Sequence, residues 1–256
     1  MSFIACAGNF PYNYWNGGFN NCIEKGCIYN EIYDCNKENG APLRLNCTNI
    51  FLNSNDFEDS VANTILDICH DSSNLIEVSN LDLYKILKEK YNKYKFIFSK
   101  QANLIYPFNL NIINELNNKK YFEIVSLPNE FSKNLNLLKE INNPNTIELT
   151  VNSMCQTCNN EKKCQYANHV NQYNYSMINS YLNCEKRYPY HRINPLITLE
   201  EIKDTYIPMG YKYFKIEEIF NNDKDNLFLF LLNYFIKEEY KEEVYNLAFE
   251  EGIILV

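Results

Sequence analysis

Eight short strand-like runs, several of them alternating polar and apolar residues and most separated by stretches with helical periodicity, constrain the fold of this chain more than any other feature. The runs are Phe3–Ala7, Ile28–Asp34, Leu43–Cys47, Leu75–Ser79, Lys95–Ser99, Phe122–Ser126, Ile147–Asn152 and Tyr211–Glu217. A period of two marks a strand and a period near 3.6 marks a helix. Helices are expected at Asp56–Cys69, at Asn80–Tyr91 with Asn80 as N-cap, and at Asn109–Leu116 and Glu130–Ile141. A further one, Leu199–Tyr206, opens on the capping box Thr198-Leu-Glu-Glu201. The tail Asp223–Glu250 reads as two helices outside the sheet.

Strands alternating with helices imply a parallel sheet with crossover connections. Eight strands in 256 residues fit an α/β, TIM-barrel-like (β/α)8 fold. The first two connections are too short for full helices, so the expected barrel is irregular or partly open. An open doubly wound sheet is the competing arrangement. No internal repeat or low-complexity linker interrupts the chain. The expectation is a single domain over 1–256, with the barrel in 1–220 and a helical extension in 221–256.

The strand faces carry a second constraint. Parallel strands covered on both sides normally read as near-continuous apolar runs. Here Leu43 and Leu45 oppose Arg44 and Asn46, and Ile76 and Val78 oppose Glu77 and Ser79. Ile147, Leu149 and Val151 oppose Glu148, Thr150 and Asn152, while Phe214 and Ile216 oppose Lys215 and Glu217. If the apolar set meets the outer helices, the polar set points inward. An isolated buried charge costs several kcal/mol, so these groups must pair with each other, meet water or bind a ligand. One reading is a structural ion network of Arg44, Glu77, Glu148 and Lys215. The other is a polar cavity, with Glu148, Lys215 and Glu217 as catalytic groups and Arg44, Asn46, Glu77 and Asn152 contacting substrate.

Directly after the strand run Ile147–Asn152 come Cys155, Cys158, Cys164 and Cys184, spaced C-x2-C-x5-C-x19-C. Four thiolates in one loop region suit either zinc or a [4Fe–4S] cluster. Two C-x2-C pairs, the usual zinc-ribbon spacing, are not present. His169 is an alternative ligand that would make a Cys3His zinc site. The remaining thiols, Cys6, Cys22, Cys27, Cys35, Cys47 and Cys69, are scattered and read as packing.

The formal net charge of −8 argues against a broad phosphate-binding surface. The longest apolar piece, Leu227–Leu232, falls well short of the roughly 20 residues a spanning helix needs. The N-terminus lacks the basic region of a secretory signal. Ten cysteines without secretion imply reduced thiols, and a cytoplasmic location is expected. No G-x-S-x-G or Gly-rich phosphate loop occurs, so serine hydrolysis and nucleotide chemistry are not indicated.

The run Thr146-Ile-Glu-Leu-Thr-Val-Asn-Ser-Met-Cys-Gln-Thr-Cys158, then Cys164, Cys184, Pro195-Leu-Ile-Thr-Leu-Glu-Glu-Ile202 and Tyr206-Ile-Pro-Met-Gly-Tyr-Lys-Tyr-Phe-Lys-Ile-Glu217, resembles the peptidase U32-like family. Leu45-Asn-Cys-Thr-Asn49 and Lys95-Phe-Ile-Phe-Ser-Lys-Gln101 are similar to its upstream segments. The resemblance spans about residues 1–220. It departs where the family's Gly-Arg after Lys-Ile-Glu is Glu218-Ile219. It implies a TIM-barrel-like domain and a [4Fe–4S] cluster on Cys155, Cys158, Cys164 and Cys184. It also implies oxygen-independent hydroxylation or a related modification of a small molecule or an RNA base, served by an electron donor, rather than proteolysis. The alternative is a non-catalytic barrel stabilised by Zn2+ that serves as a subunit or binds a protein partner.

Overall fold

The computed structural model describes residues 6–8, 15, 42–71, 73–118, 121–153, 194–195, 197–216, 228, 231–232 and 234–252. The chain divides into two compact units, residues 1–126 with 159–183, and residues 127–158 with 184–256.

The first unit holds β1 (Cys6–Gly8), β2 (Leu43–Cys47), β3 (Leu75–Val78), β4 (Lys95–Phe98) and β5 (Ile124–Ser126), and β1 pairs in parallel with β2, β2 with β3, β3 with β4 and β4 with β5. Helices α1 (Ser60–Ile68), α2 (Leu81–Lys90) and α3 (Leu110–Asn118) occupy the connections. Side chains that accept from otherwise free N–H groups fix where these helices begin. Asn80 accepts from the N–H groups of Asp82 and Leu83 and opens α2, as its sequence predicts. The helix expected over Asp56–Cys69 is instead divided. Asn53 and Asp56 form a capping box on a 3-10 turn, Ser54–Glu58, and Asp59 turns extended to cap Ala62 N at the head of α1.

The apolar faces of these strands meet the helices. Tyr84 of α2 packs edge-on against Phe96 at 5.2 Å and lies 4.5 Å from Phe122. Phe98 packs against Phe108 and Phe122. Ile65, Leu66, Leu83 and Leu87 are buried beside them. Each such side chain stabilises the fold by about 1.5–3 kcal/mol. Because successive strand residues alternate sides, Glu77, Ile97 and Ser99 lie on the face away from Phe96 and Phe98. Asn74 ties the amino ends together: its Oδ1 accepts from Leu43 N, and its Nδ2 donates to Cys69 O.

The second unit contains α4 (Asn129–Ser132), α5 (Leu135–Lys139) and β6 (Ile147–Thr150). A two-stranded antiparallel ribbon follows, made of β7 (Asn152–Ser153) and β8 (Asn194–Pro195). Next come α6 (Leu199–Glu201), continued by a π turn at Ile202–Tyr206, then β9 (Tyr213–Lys215) and α7 (Glu238–Glu250). β9 pairs in parallel with β6. The single helix expected over Glu130–Ile141 is two, because Asn134 leaves the helical path and caps Leu137 N. The Thr198–Glu201 capping box forms as expected. Its backbone bond holds the Glu201 carboxyl below the usual carboxylate range, with Lys133 nearby adding to the effect. Gly210, at φ +96, turns the chain from the π segment towards β9, and a side chain there would press on Pro144 at 3.0 Å. Tyr206 and Tyr211 donate to Ser132 O and Leu138 O, fixing that segment to α4 and α5.

Seven of the eight expected strands form, with ends that differ by up to three residues, and Ile28–Asp34 lies outside the described residues. The result is a parallel α/β arrangement consistent with part of a TIM-like barrel. No helix among the described residues is long and apolar enough to cross a membrane.

Candidate functional site

In parallel α/β folds, reactive groups gather where the strands end. The first unit buries a row of polar side chains there: Thr48 and Asn49 after β2, Ser79 after β3, Ser99 and Lys100 after β4, and Ser126 at the end of β5. At the opposite end of the strands, Leu43, Leu75 and Ile124 begin the same segments.

Below that row lies an ion pair. Arg44 Nε donates to Glu77 Oε2 at 2.8 Å, and Ser99 Oγ donates to Glu77 Oε1 at 2.7 Å. Arg44 is 6% exposed and Glu77 2%. The β2–β3 register places Asn46 directly beside Glu77, and Asn46 is only half-buried. Of the substrate-binding candidates in this unit, Arg44 and Glu77 thus engage each other, and Asn46 is the one that reaches a less covered position. Ser79, fully buried just past the end of β3, has a hydroxyl oxygen with no hydrogen-bond partner among the described residues.

Cys47 ends β2 but is not a nucleophile. Burial, and then the carboxylates of Asp59 and Glu77, push its thiol far above its ordinary value, so it stays protonated. Burial also raises Cys69 to about 11. His70 stacks on Tyr94 at 5.3 Å and meets Tyr91 edge-on, and its Nε2 has no hydrogen-bond partner among the described residues. No nucleophile–histidine pair forms there.

In the second unit Glu148, Thr150 and Asn152 are buried along β6 and its continuation. The register sets Glu148 beside Tyr213 and Thr150 beside Lys215, which puts Glu148 and Lys215 on one face of the strand pair, two residues apart. Lys215 is half-buried. Glu217, His169 and the four cysteines Cys155, Cys158, Cys164 and Cys184 lie outside the described residues, as do Cys22, Cys27 and Cys35. Among the described residues no group of three or more His, Cys, Asp or Glu side chains is placed to hold a metal.

What the second unit does describe is the base of the cysteine segment. In β7–β8, Asn152 pairs with Pro195 and Ser153 with Asn194. Ile197 N then donates to Val151 O at 3.1 Å. The hydroxyl of Tyr234 lies 3.1 Å from Val151 O and 2.8 Å from Ile197 O, bridging both sides of the ribbon's root. Sequence reasoning did not find Tyr234 or the role of Ser99. The one available signal was a hydroxyl residue closing the apolar run Phe96–Phe98. Tyr234→Phe would take the hydroxyl donor from Ile197 O, while Val151 O keeps Ile197 N, so we expect it to lower stability in urea by about 1–2 kcal/mol. An unchanged denaturation midpoint would show that the bridge contributes nothing.

No family model matches the sequence. No curated protein matches it either. The fold is similar to the solved structure of the U32 peptidase Mk0906, with a TM-score of 0.52 and 9% identity over 84% of this chain and 85% of that one. At that identity the likeness shows a U32-like fold and no more.

Proposed function

We propose that this chain is an enzyme in which Cys155, Cys158, Cys164 and Cys184 hold a [4Fe–4S] cluster at the carboxyl end of β6. Its substrate is a small or nucleobase-like molecule, and the reaction is an oxygen-independent hydroxylation or a related modification. The observation that carries this reading is the β7–β8 ribbon. Its first strand ends two residues before Cys155, and its second begins ten residues after Cys184. Both ends of the cysteine-bearing segment therefore return to one point, beside the end of β6. Four soft donors in a segment anchored at both ends suit a four-sulfur centre.

Bound there, such a cluster supplies single electrons. The remaining work belongs to this chain's own groups. Lys215, half-buried beside Thr150, offers a cation to a polar substrate atom, and Glu148 on the same face accepts or returns a proton. Asn152, on the continuation of β6, offers an amide donor and acceptor that can read the edge of a planar substrate. Arg44, Glu77 and Ser99 hold β2, β3 and β4 in register beside Asn46. An electron donor must meet the cluster from outside.

Protein prepared without oxygen should be brown, with close to four iron and four sulfide per chain, as a [4Fe–4S] centre requires. One colourless zinc ion per chain and no sulfide would replace this reading with that of a zinc-stabilised partner protein.

A further inference from the structure

Among the described residues of the second unit α7 is the longest helix, and it leaves apolar side chains exposed. Its inner seam is marked by Ala248, which is buried, with Lys241 and Tyr245 half-buried alongside. Tyr240 and Leu247 are 49% and 52% exposed, and Val244 between them is half-buried. Positions i, i+4 and i+7 fall on one side of a helix, so these three form a continuous stripe about 10 Å long. Single exposed apolar residues need no explanation. A row of three at helical spacing is the pattern by which one helix receives another.

The edge of the stripe says what kind of helix. Glu239, Glu243 and Glu250 run along its solvent side, at 100° per residue only 40–100° around the axis from Leu247 and Tyr240. Among the described residues Glu243 and Glu250 have no ion-pair partner, and Glu239 has only an exposed contact with Lys237 at 3.8 Å. Like charges would set this row against itself in a pair of identical chains, and the chain as a whole carries −8. An anionic lipid surface is repelled for the same reason. We propose that the stripe Tyr240–Val244–Leu247, with its border of Glu239, Glu243 and Glu250, docks a basic amphipathic helix of a partner protein. Leucine-type anchors of that helix would lie on the stripe, and its lysine or arginine row would lie along the glutamates. This proposal does not depend on the cysteine segment.

The test uses the whole chain and a fluorescent 18-residue probe helix with leucines at i, i+3, i+4 and i+7 and lysines elsewhere, followed by anisotropy. Saturable binding is expected, weakening as salt is raised. Tyr240→Ser with Leu247→Ser should weaken it about tenfold or more. Glu243→Gln with Glu250→Gln should weaken it and flatten the salt dependence. Glu238→Gln with Glu242→Gln, on the other flank of α7, should leave it unchanged. All three variants change exposed side chains, and circular dichroism will confirm that they fold. The proposal is overturned if the probe does not bind, if the control pair weakens binding as much as Glu243 and Glu250 do, or if the serine pair has no effect. It is equally overturned if the chain is a dimer that the serine pair dissociates, or if it binds vesicles rich in phosphatidylserine through the same stripe.

Discussion

Replacing Cys155 or Cys184 by serine is expected to remove the metal altogether, from about four iron per chain to a trace. The ligand in a soft site is thiolate, and a serine hydroxyl, far harder and rarely ionised, does not substitute for it. One control is chosen by burial. Cys69 caps the end of α1 and is 1% exposed, and burial lifts its thiol to about 11. Protonated and enclosed, it is not a ligand, and Cys69→Ser should keep full metal content, as should Cys22→Ser. Iron and sulfide assays on anaerobic preparations of the four variants decide the matter. Equal loss from all four would mean that the cysteines act on folding rather than on a cluster, and full retention in Cys155→Ser would remove that residue from the ligand set.

Much of this architecture is legible in the residues. The strand-like runs place β2, β3 and β4 to within a residue because burial leaves no freedom to slip. Asn80 and Thr198 announce their helices because a cap is a local event, made within three residues. The two misread helices failed for the same local reason in reverse. Apolar spacing runs on through Asp59 and Asn134, and nothing in the periodicity says that these side chains will bond the backbone instead of continuing it. The interior is legible as polar, paired or lining a cavity, but not as to which groups meet. Arg44 and Glu77 are 33 residues apart, and only the β2–β3 register decides that they meet. Tyr234 is more distant still, 83 residues from Val151, and no local pattern marks it.

That pairing sets the expected outcome of neutralising the interior. Glu77 is nearly inaccessible and takes bonds from Arg44 on one oxygen and from Ser99 on the other. Glu77→Gln removes the carboxylate that faces the buried Arg44 guanidinium, and Arg44→Met removes the cation that faces the buried carboxylate. Either should cost about 3–5 kcal/mol in urea or thermal unfolding, a large part of the 5–15 kcal/mol typical of a domain. The double variant Arg44→Met with Glu77→Leu removes both charges and should fall well short of the sum, since the pair's attraction and its desolvation largely offset each other. Lys215 gives the contrast. It is half-buried, so a partner freed by Lys215→Met re-engages water, and the melting temperature should move only slightly. If Glu77→Gln also leaves stability within about 0.5 kcal/mol, a change typical of open surface positions, the pair is solvated and Arg44 and Glu77 return to the list of groups free to bind substrate. If Lys215→Met is as damaging as Glu77→Gln, then Lys215 belongs to the structural network and the proton-handling role given to it with Glu148 is lost.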